Sequence, residues 1–292
     1  MKKIITVLAL IAVMLSVTAC GTKAEPEAEV KETNVKSAEI TINHSIYSWD
    51  RELFDENPAD VLSKISDYEV SRIYQGLYPS DLKEPEATAQ MVKALTEQGV
   101  EVIYLTGDPD WDDSAVVEEW TIDLLTAYNE SVDKEAQMHT ICYDSEFFAH
   151  DGWDNETHFK EYTEMMKQVI DYAHQKGFKV ILCAPYWLTD FSSEVYADLI
   201  ASTDELSCTV YLVGQEKEMM AEVYKLCQDA GTQFEIVLET QPVSEEYEVS
   251  EYNTYWCNGG KAAVLKTIAE LQEEYPDISI GLHSLKYLLE LQ

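Results

Sequence analysis

Along most of this chain, short runs of β-branched and aromatic residues alternate with longer stretches whose apolar positions recur every three or four residues. That alternation predicts strands separated by helices around a parallel sheet. Eight strands follow: Thr41–Tyr47, Tyr68–Gln75, Val100–Thr106, Met138–Asp144, Lys179–Pro185, Leu206–Val213, Phe234–Glu239 and Ile278–His283. The intervening helices have their own signals. Phe159, Tyr162, Met166, Val169, Ile170 and Ala173 share one face, and Gly177 stops that helix just before the next strand. Pro85 suits the first turn of a helix reaching Gln98, with Gly99 as its cap. Trp120, Leu124 and Ala127 mark another helix, with Trp120 on its core side; Met219, Val223 and Leu226, then Val264, Ile268 and Leu271, mark two more. Eight βα units within residues 38–292 match the order and the roughly 250-residue size of a (β/α)8 TIM barrel. An open doubly wound sheet is the alternative, but it wants a Gly-rich phosphate loop after the first strand, where Ser48-Trp49-Asp50-Arg51 stands.

The first residues follow a different pattern. Lys2 and Lys3 precede the apolar run Ile4–Leu15, which is short for a membrane span, and Val17-Thr18-Ala19-Cys20 closes it with small residues. Residues 1–19 read as a secretory signal peptide. The Val-Thr-Ala-Cys ending resembles the bacterial lipobox, and the resemblance implies that Cys20 is diacylated and becomes the new N-terminus. Residues 20–37 are Ala, Glu, Lys, Thr and Pro with almost no large apolar residue, so they read as a disordered tether.

Composition narrows the partners. Hydrophobic residues at 46% and charged residues at 26% suit a globular chain with a sizeable core, which excludes disorder as the main state. Against 55 acidic residues there are 20 basic ones, a formal charge of −35 that becomes two units more negative when Lys2 and Lys3 leave with the signal. Such a surface repels nucleic acid and anionic lipid. Attachment to the cell membrane, on its extracytoplasmic face, therefore falls to the lipid on Cys20, since a diacyl group anchors stably. The folded part reads as a monomer.

In a TIM barrel the chemistry lies at the C-terminal ends of the strands. Five of the six tryptophans fall just after strands: Trp49, Trp111, Trp153, Trp187 and Trp256. Flat aromatic faces at a wet cleft suit the apolar face of a sugar ring. Strand four ends Asp144-Ser145-Glu146, and if the strand continues the two acids share a side, so that their pKa values split and one keeps its proton near neutrality. A general acid needs that. Glu239 ends strand seven, and a glutamate across the mouth from Glu146 would complete a carboxylate pair for cleaving a glycosidic bond. On strand eight, Ile278, Ile280 and Leu282 face the helices, which turns His283 inward as a partner for a carboxylate or substrate, or as a metal ligand. Tyr211, Tyr74, Gln75 and Asp108 are further candidates for polar contacts in the mouth.

Ser48-Trp49-Asp50, Leu105-Thr106-Gly107-Asp108-Pro109, Asp144-Ser145-Glu146, Leu238-Glu239-Thr240 and Ile280-Gly281-Leu282-His283-Ser284 together resemble a group of poorly characterised bacterial barrel lipoproteins regarded as glycoside-hydrolase-like. Phe147 stands where that group has a proline. Glu146 and Glu239 occupy the places of the acid and the nucleophile in the large clan of retaining glycosidases, with Ser145 replacing the usual asparagine. The chitinase-like Asp-x-x-Asp-x-Asp-x-Glu pattern is met only by Asp144 and Glu146, with His139 and Cys142 in the earlier places; Tyr211 matches a strand-six tyrosine, followed here by Leu212. The resemblance implies an extracytoplasmic lipoprotein hydrolysing or binding a carbohydrate, with Glu146 as general acid, Glu239 as nucleophile or base and Asp144 tuning Glu146. A non-catalytic glycan-binding lipoprotein on the same fold is the alternative, followed by a metal-dependent hydrolase using Asp108, Glu146, Glu239 and His283.

No cofactor motif stands out. Asp108 to Glu119 has calcium-loop spacing, but Asp113 occupies the position that requires glycine. Besides Cys20, Cys142, Cys183, Cys208, Cys227 and Cys257 are odd in number and lack zinc spacing; buried thiols are the default, with a bridge between neighbouring strands left open.

Overall fold

The computed structural model describes residues 44–149, 156–247 and 249–292; the signal peptide, Cys20, the tether and Trp153 lie outside the described residues. The eight strands are β1 His44–Ser48, β2 Val70–Gly76, β3 Glu101–Thr106, β4 Thr140–Tyr143, β5 Lys179–Pro185, β6 Glu205–Thr209, β7 Gln233–Glu239 and β8 Ser279–His283. Each pairs in parallel with the next, and β8 pairs with β1, so the sheet closes into a TIM barrel. The register sets Tyr47 beside Tyr74 on one side and His283 on the other, and His283 beside Glu239.

Because strand side chains alternate, the closed sheet has two apolar faces. The outer face packs Ile46, Ile73, Tyr104, Ile141, Tyr143, Leu182, Leu206, Ile236, Leu238, Ile280 and Leu282 against the helices. The lumen holds a smaller group: Tyr47, Tyr74, Ile103, Leu105, Cys142, Ile181, Cys183 and Val237. Helix Glu86–Thr96 begins after Pro85, and Gly99 follows with a φ of +80° that favours glycine. Helix Glu156–Lys176 buries Phe159, Tyr162, Met166, Val169, Ile170 and Ala173, the face its spacing predicts.

The helix across 114–131 differs from its sequence reading. Helical turns Ser114–Val117 and Leu124–Ser131 flank a π-helical segment, Glu118–Asp123. The buried stripe is Val117, Thr121, Ile122, Leu125 and Tyr128, one residue on from the stripe expected at Trp120, Leu124 and Ala127. Thr121 bonds the Val117 carbonyl at 2.6 Å and the Tyr143 hydroxyl at 2.9 Å, fixing that face inward. Trp120 is consequently turned out of the core, 51% exposed.

The lumen is ionic beneath its apolar layer. Arg72 donates from both terminal nitrogens to Glu205 at 2.7 Å and from one of them to Glu235 at 2.7 Å. Ser45, Ser207 and Tyr74 also donate to Glu235, at 2.6, 2.5 and 2.9 Å. Burial pushes the Glu235 carboxyl up, against the downward pull of Arg72. Gly281 is required beside it, since a Cβ there would lie 2.9 Å from Glu235 Oε1. Two sequence expectations are corrected here. Tyr74 faces the lumen, but its hydroxyl is spent on Glu235 rather than on the mouth. Gln75, on the opposite face of the same strand, is buried, and its amide donates to the carbonyls of Ser48, Asp50 and Gly76, clamping the turn after β1. No bridge joins the strand cysteines: Cys142, Cys183, Cys208, Cys227 and Cys257 are all free thiols.

Candidate active site at the barrel mouth

Strand four stops where its acids begin. Asp144 N–H still bonds the Thr106 carbonyl at 2.9 Å, but Ser145 turns away to share a 2.6 Å hydrogen bond with the Tyr162 hydroxyl. Glu146 then takes a φ of +43°, a left-handed conformation uncommon for a glutamate. Phe147 opens a short 3-10 turn and stacks on Tyr162 at 3.8 Å, which fills the place a continuing strand would need. The condition for simple alternation therefore fails, and the acids end in different settings: Asp144 half-buried, Glu146 exposed. Burial, followed by the nearby Glu146 carboxylate, pushes the Asp144 carboxyl up to about 7, with His283 and a hydrogen bond from Cys183 pulling the other way. The proton held near neutrality thus belongs to Asp144.

Glu239 and His283 form a second pair across the β7–β8 register. His283 Nδ1 lies 3.1 and 3.2 Å from the two oxygens of Glu239. The same carboxylate accepts the backbone N–H groups of Thr240 and Gln241, both at 2.8 Å, and the Gln241 side-chain amide at 3.1 Å. Only acceptors face Nδ1, so that nitrogen carries the hydrogen and the ring's other nitrogen, Nε2, is left to exchange a proton. Burial pulls the His283 ring toward neutrality, but Glu239, with Asp144 and Glu146 beyond it, outweighs burial and raises it above the ordinary imidazole range. Tyr211 lies 6.1 Å from the His283 ring, and burial holds its hydroxyl well above the usual phenol range. Glu239 itself is 1% exposed. The two glutamates expected from sequence to act as a pair have different settings: Glu146 is exposed, Glu239 is enclosed by donors, and both act on the His283 ring.

The open aromatic surface lies to one side of these acids. Trp49, Tyr78, Asp108, Trp111, Val116 and Trp120 line a cleft of about 560 Å³ with the ends of β2 and β3. Trp49, Tyr78 and Trp120 are 39%, 67% and 51% exposed. The cleft abuts strand four directly. Gly107 presses so closely that a Cβ there would lie 1.7 Å from the Asp144 carbonyl oxygen, and Trp111 meets Tyr143 edge-on at 6.0 Å. Of the tryptophans singled out in the sequence, Trp49 and Trp111 converge here. Trp187 instead packs against Phe148 and Phe191, and Trp256 against Tyr287, both half-buried on the outer apolar cluster. Sequence reasoning missed Trp120, which it put on the core side of its helix, and Tyr78, which Pro79 marks as the start of a helix just past a strand end. Among the described residues no three His, Cys, Asp or Glu side chains are grouped to hold a metal ion, and no helix is long and apolar enough to cross a membrane.

No protein-family model and no curated sequence matches this chain. Solved structures do. A GH113 β-1,4-mannanase superposes with a TM-score of 0.55 at 9% identity, over 83% of this chain and 87% of the mannanase. A GH18 chitinase from Pseudoalteromonas aurantia gives 0.53 at 10% identity, over 83% and 93%. The probable 3-DHS dehydratase AsbF of Bacillus anthracis gives 0.52 at 12% identity, over 85% and 97%. Identities this low establish a shared fold: the chain has the TIM barrel found in glycoside hydrolases and in enzymes of other chemistry.

Proposed function

We propose that this chain is an extracytoplasmic lipoprotein, anchored through a diacylated Cys20, whose barrel binds a carbohydrate in the Trp49–Trp111–Trp120 cleft and hydrolyses a glycosidic bond beside the strand-four acids. The observation that carries the reading is the convergence of three indoles and Tyr78, from separate βα segments, on one open cleft whose wall at Gly107 packs on the main-chain carbonyl of Asp144. Indole faces stack on the apolar faces of sugar rings, and this cleft has the volume of a small-ligand site. The strand-four pair supplies proton chemistry: Asp144, which holds a proton near neutral pH, gives it to the leaving-group oxygen, and the exposed Glu146 carboxylate takes a proton from the water that attacks the sugar carbon. Glu239 is assigned to orienting His283, because its own oxygens are already occupied.

The test is hydrolysis of a panel of polysaccharides and aryl glycosides by the chain from Val35 onward, beside Glu146→Gln and Asp144→Asn. Loss of roughly 10²–10⁴-fold in kcat in either variant, with binding retained, is the expected result. The enclosure of Glu239 favours a second reading, a non-catalytic glycan-binding lipoprotein on the same fold. Binding without cleavage selects it, and neither binding nor cleavage sinks both readings. Release of a Cys20→Ala chain from membranes tests the anchor.

A further inference from the structure

The cleft has a charge as well as a shape. Its lining offers indole and phenol rings and one ionisable acid, Asp108, and contains no lysine or arginine. Asp108 is exposed and uses one oxygen to accept the Asp110 N–H, which leaves its outer face to a ligand. Beyond the lining, the loop after β3 continues through Asp110, Asp112 and Asp113, and Glu146 follows β4. The nearby cations are mostly engaged. Arg51 is paired with Asp81 and lies 3.6 Å over the Phe54 ring, and Lys286 is paired with Asp50. Lys83 is the informative one: its ammonium stands 5.7 Å from the Trp120 ring centroid, so an indole of this cleft already accepts a cation.

Aromatic faces surrounding one carboxylate, with no competing base in the lining, favour an ammonium and disfavour carboxylate, sulfate or phosphate groups. We propose that the cleft is selective for cationic sugars, and that its ligand is an oligosaccharide of amino sugars bearing free protonated amines. In this assignment a ring stacks on Trp49 or Trp111, while its ammonium lies between Asp108 and the Trp120 ring, where it takes the place of the exposed Lys83 ammonium. The proposal rests on the carbohydrate reading above and sharpens it to one substrate class.

The test is titration of the full chain, followed by tryptophan fluorescence, with a glucosamine tetramer, its fully N-acetylated counterpart, a neutral mannose or glucose tetramer, a galacturonate tetramer and tetralysine. The expected result is about 10-fold tighter binding of the free amine than of the acetylated tetramer, no binding of the uronate, and a preference that falls with added salt. Asp108→Asn and Trp120→Ala should each cut the preference several-fold; both positions are exposed, so a thermal melt confirms that the variants fold. Equal binding of free and acetylated tetramers, or tighter uronate binding, overturns the proposal and leaves the carbohydrate reading standing. A preference unchanged in both variants overturns the assignment to this cleft, and tetralysine binding as tightly as the amino sugar overturns sugar selectivity in favour of a basic peptide. Absence of binding by every sugar overturns the carbohydrate reading itself.

Discussion

The lower lumen and the mouth are built from the same side-chain types, yet they solve opposite problems. In the lower lumen Arg72 is shared between Glu205 and Glu235, three hydroxyls donate to Glu235, and every participant is sealed from water. At the mouth Asp144, Glu146 and Glu239 all act on His283, a cation conditional on a proton. The lower cluster spends its acids on an arrangement that water cannot reach; the mouth keeps acids in excess of bases, where a change in protonation costs little structure. Each holds one carboxylate pushed up by burial, Glu235 below and Asp144 above, so a shifted pKa alone does not mark a site; access to solvent and an adjoining cleft do.

The comparison breaks first at Arg72. Arg72→Met leaves two buried carboxylates without their cation and should cost about 3–5 kcal/mol of unfolding free energy, read by denaturant titration, without selectively altering ligand binding at the mouth. If the loss is under about 1 kcal/mol, the lower network is far wetter than its burial indicates. Next comes Gly107→Ala, which forces the loop after β3 away from the Asp144 carbonyl. About 1–3 kcal/mol of destabilisation is expected, together with weakened ligand binding, since the displaced loop carries Asp108 and Trp111.

Asp144 gives a smaller effect with a definite sign. Its folded pKa is raised, so its contribution to stability is complete below the ordinary carboxylate range and is lost as pH rises from about 4 to about 7. Unfolding free energy of the parent minus that of Asp144→Asn should therefore fall across that window, by on the order of 1–2 kcal/mol given the partly wet carboxylate. A flat difference would mean that Asp144 titrates as an ordinary surface acid. The smallest stability effect is expected at Trp120→Ala, within about 0.5 kcal/mol, because the ring is exposed and forfeits mainly the Lys83 contact. The same change should be among the most damaging to ligand binding, and that inversion separates the two regions most sharply.

The barrel was legible because closure depends on period and order, which survive errors at individual residues. β5 begins and ends where its apolar run does, and the remaining described strand ends shift by a few residues at most. The site was legible only in part. The strand-four acids and the Glu239–His283 pair could be placed at strand ends, but their exposure could not, because it turns on the left-handed Glu146 and the stacked Phe147. Trp120 was misread because the stripe Trp120, Leu124 and Ala127 has the same spacing as the buried Thr121, Leu125 and Tyr128 one residue on, and the period alone does not choose between adjacent stripes. The lower-lumen network went unread although β7 held the clue: Glu235, Val237 and Glu239 share the face of an otherwise apolar strand, and an acid at the deep end of that row demands a buried base.

The β1–β8 pairing carries a last consequence. An open sheet ends in strands whose unpaired N–H and carbonyl groups can template association with another chain. Here each of the eight strands has two neighbours. Copies of the barrel brought close together would therefore meet through helices and loops, on surfaces of a strongly acidic chain that repel one another. Crowding would not readily convert this protein into a cross-strand aggregate.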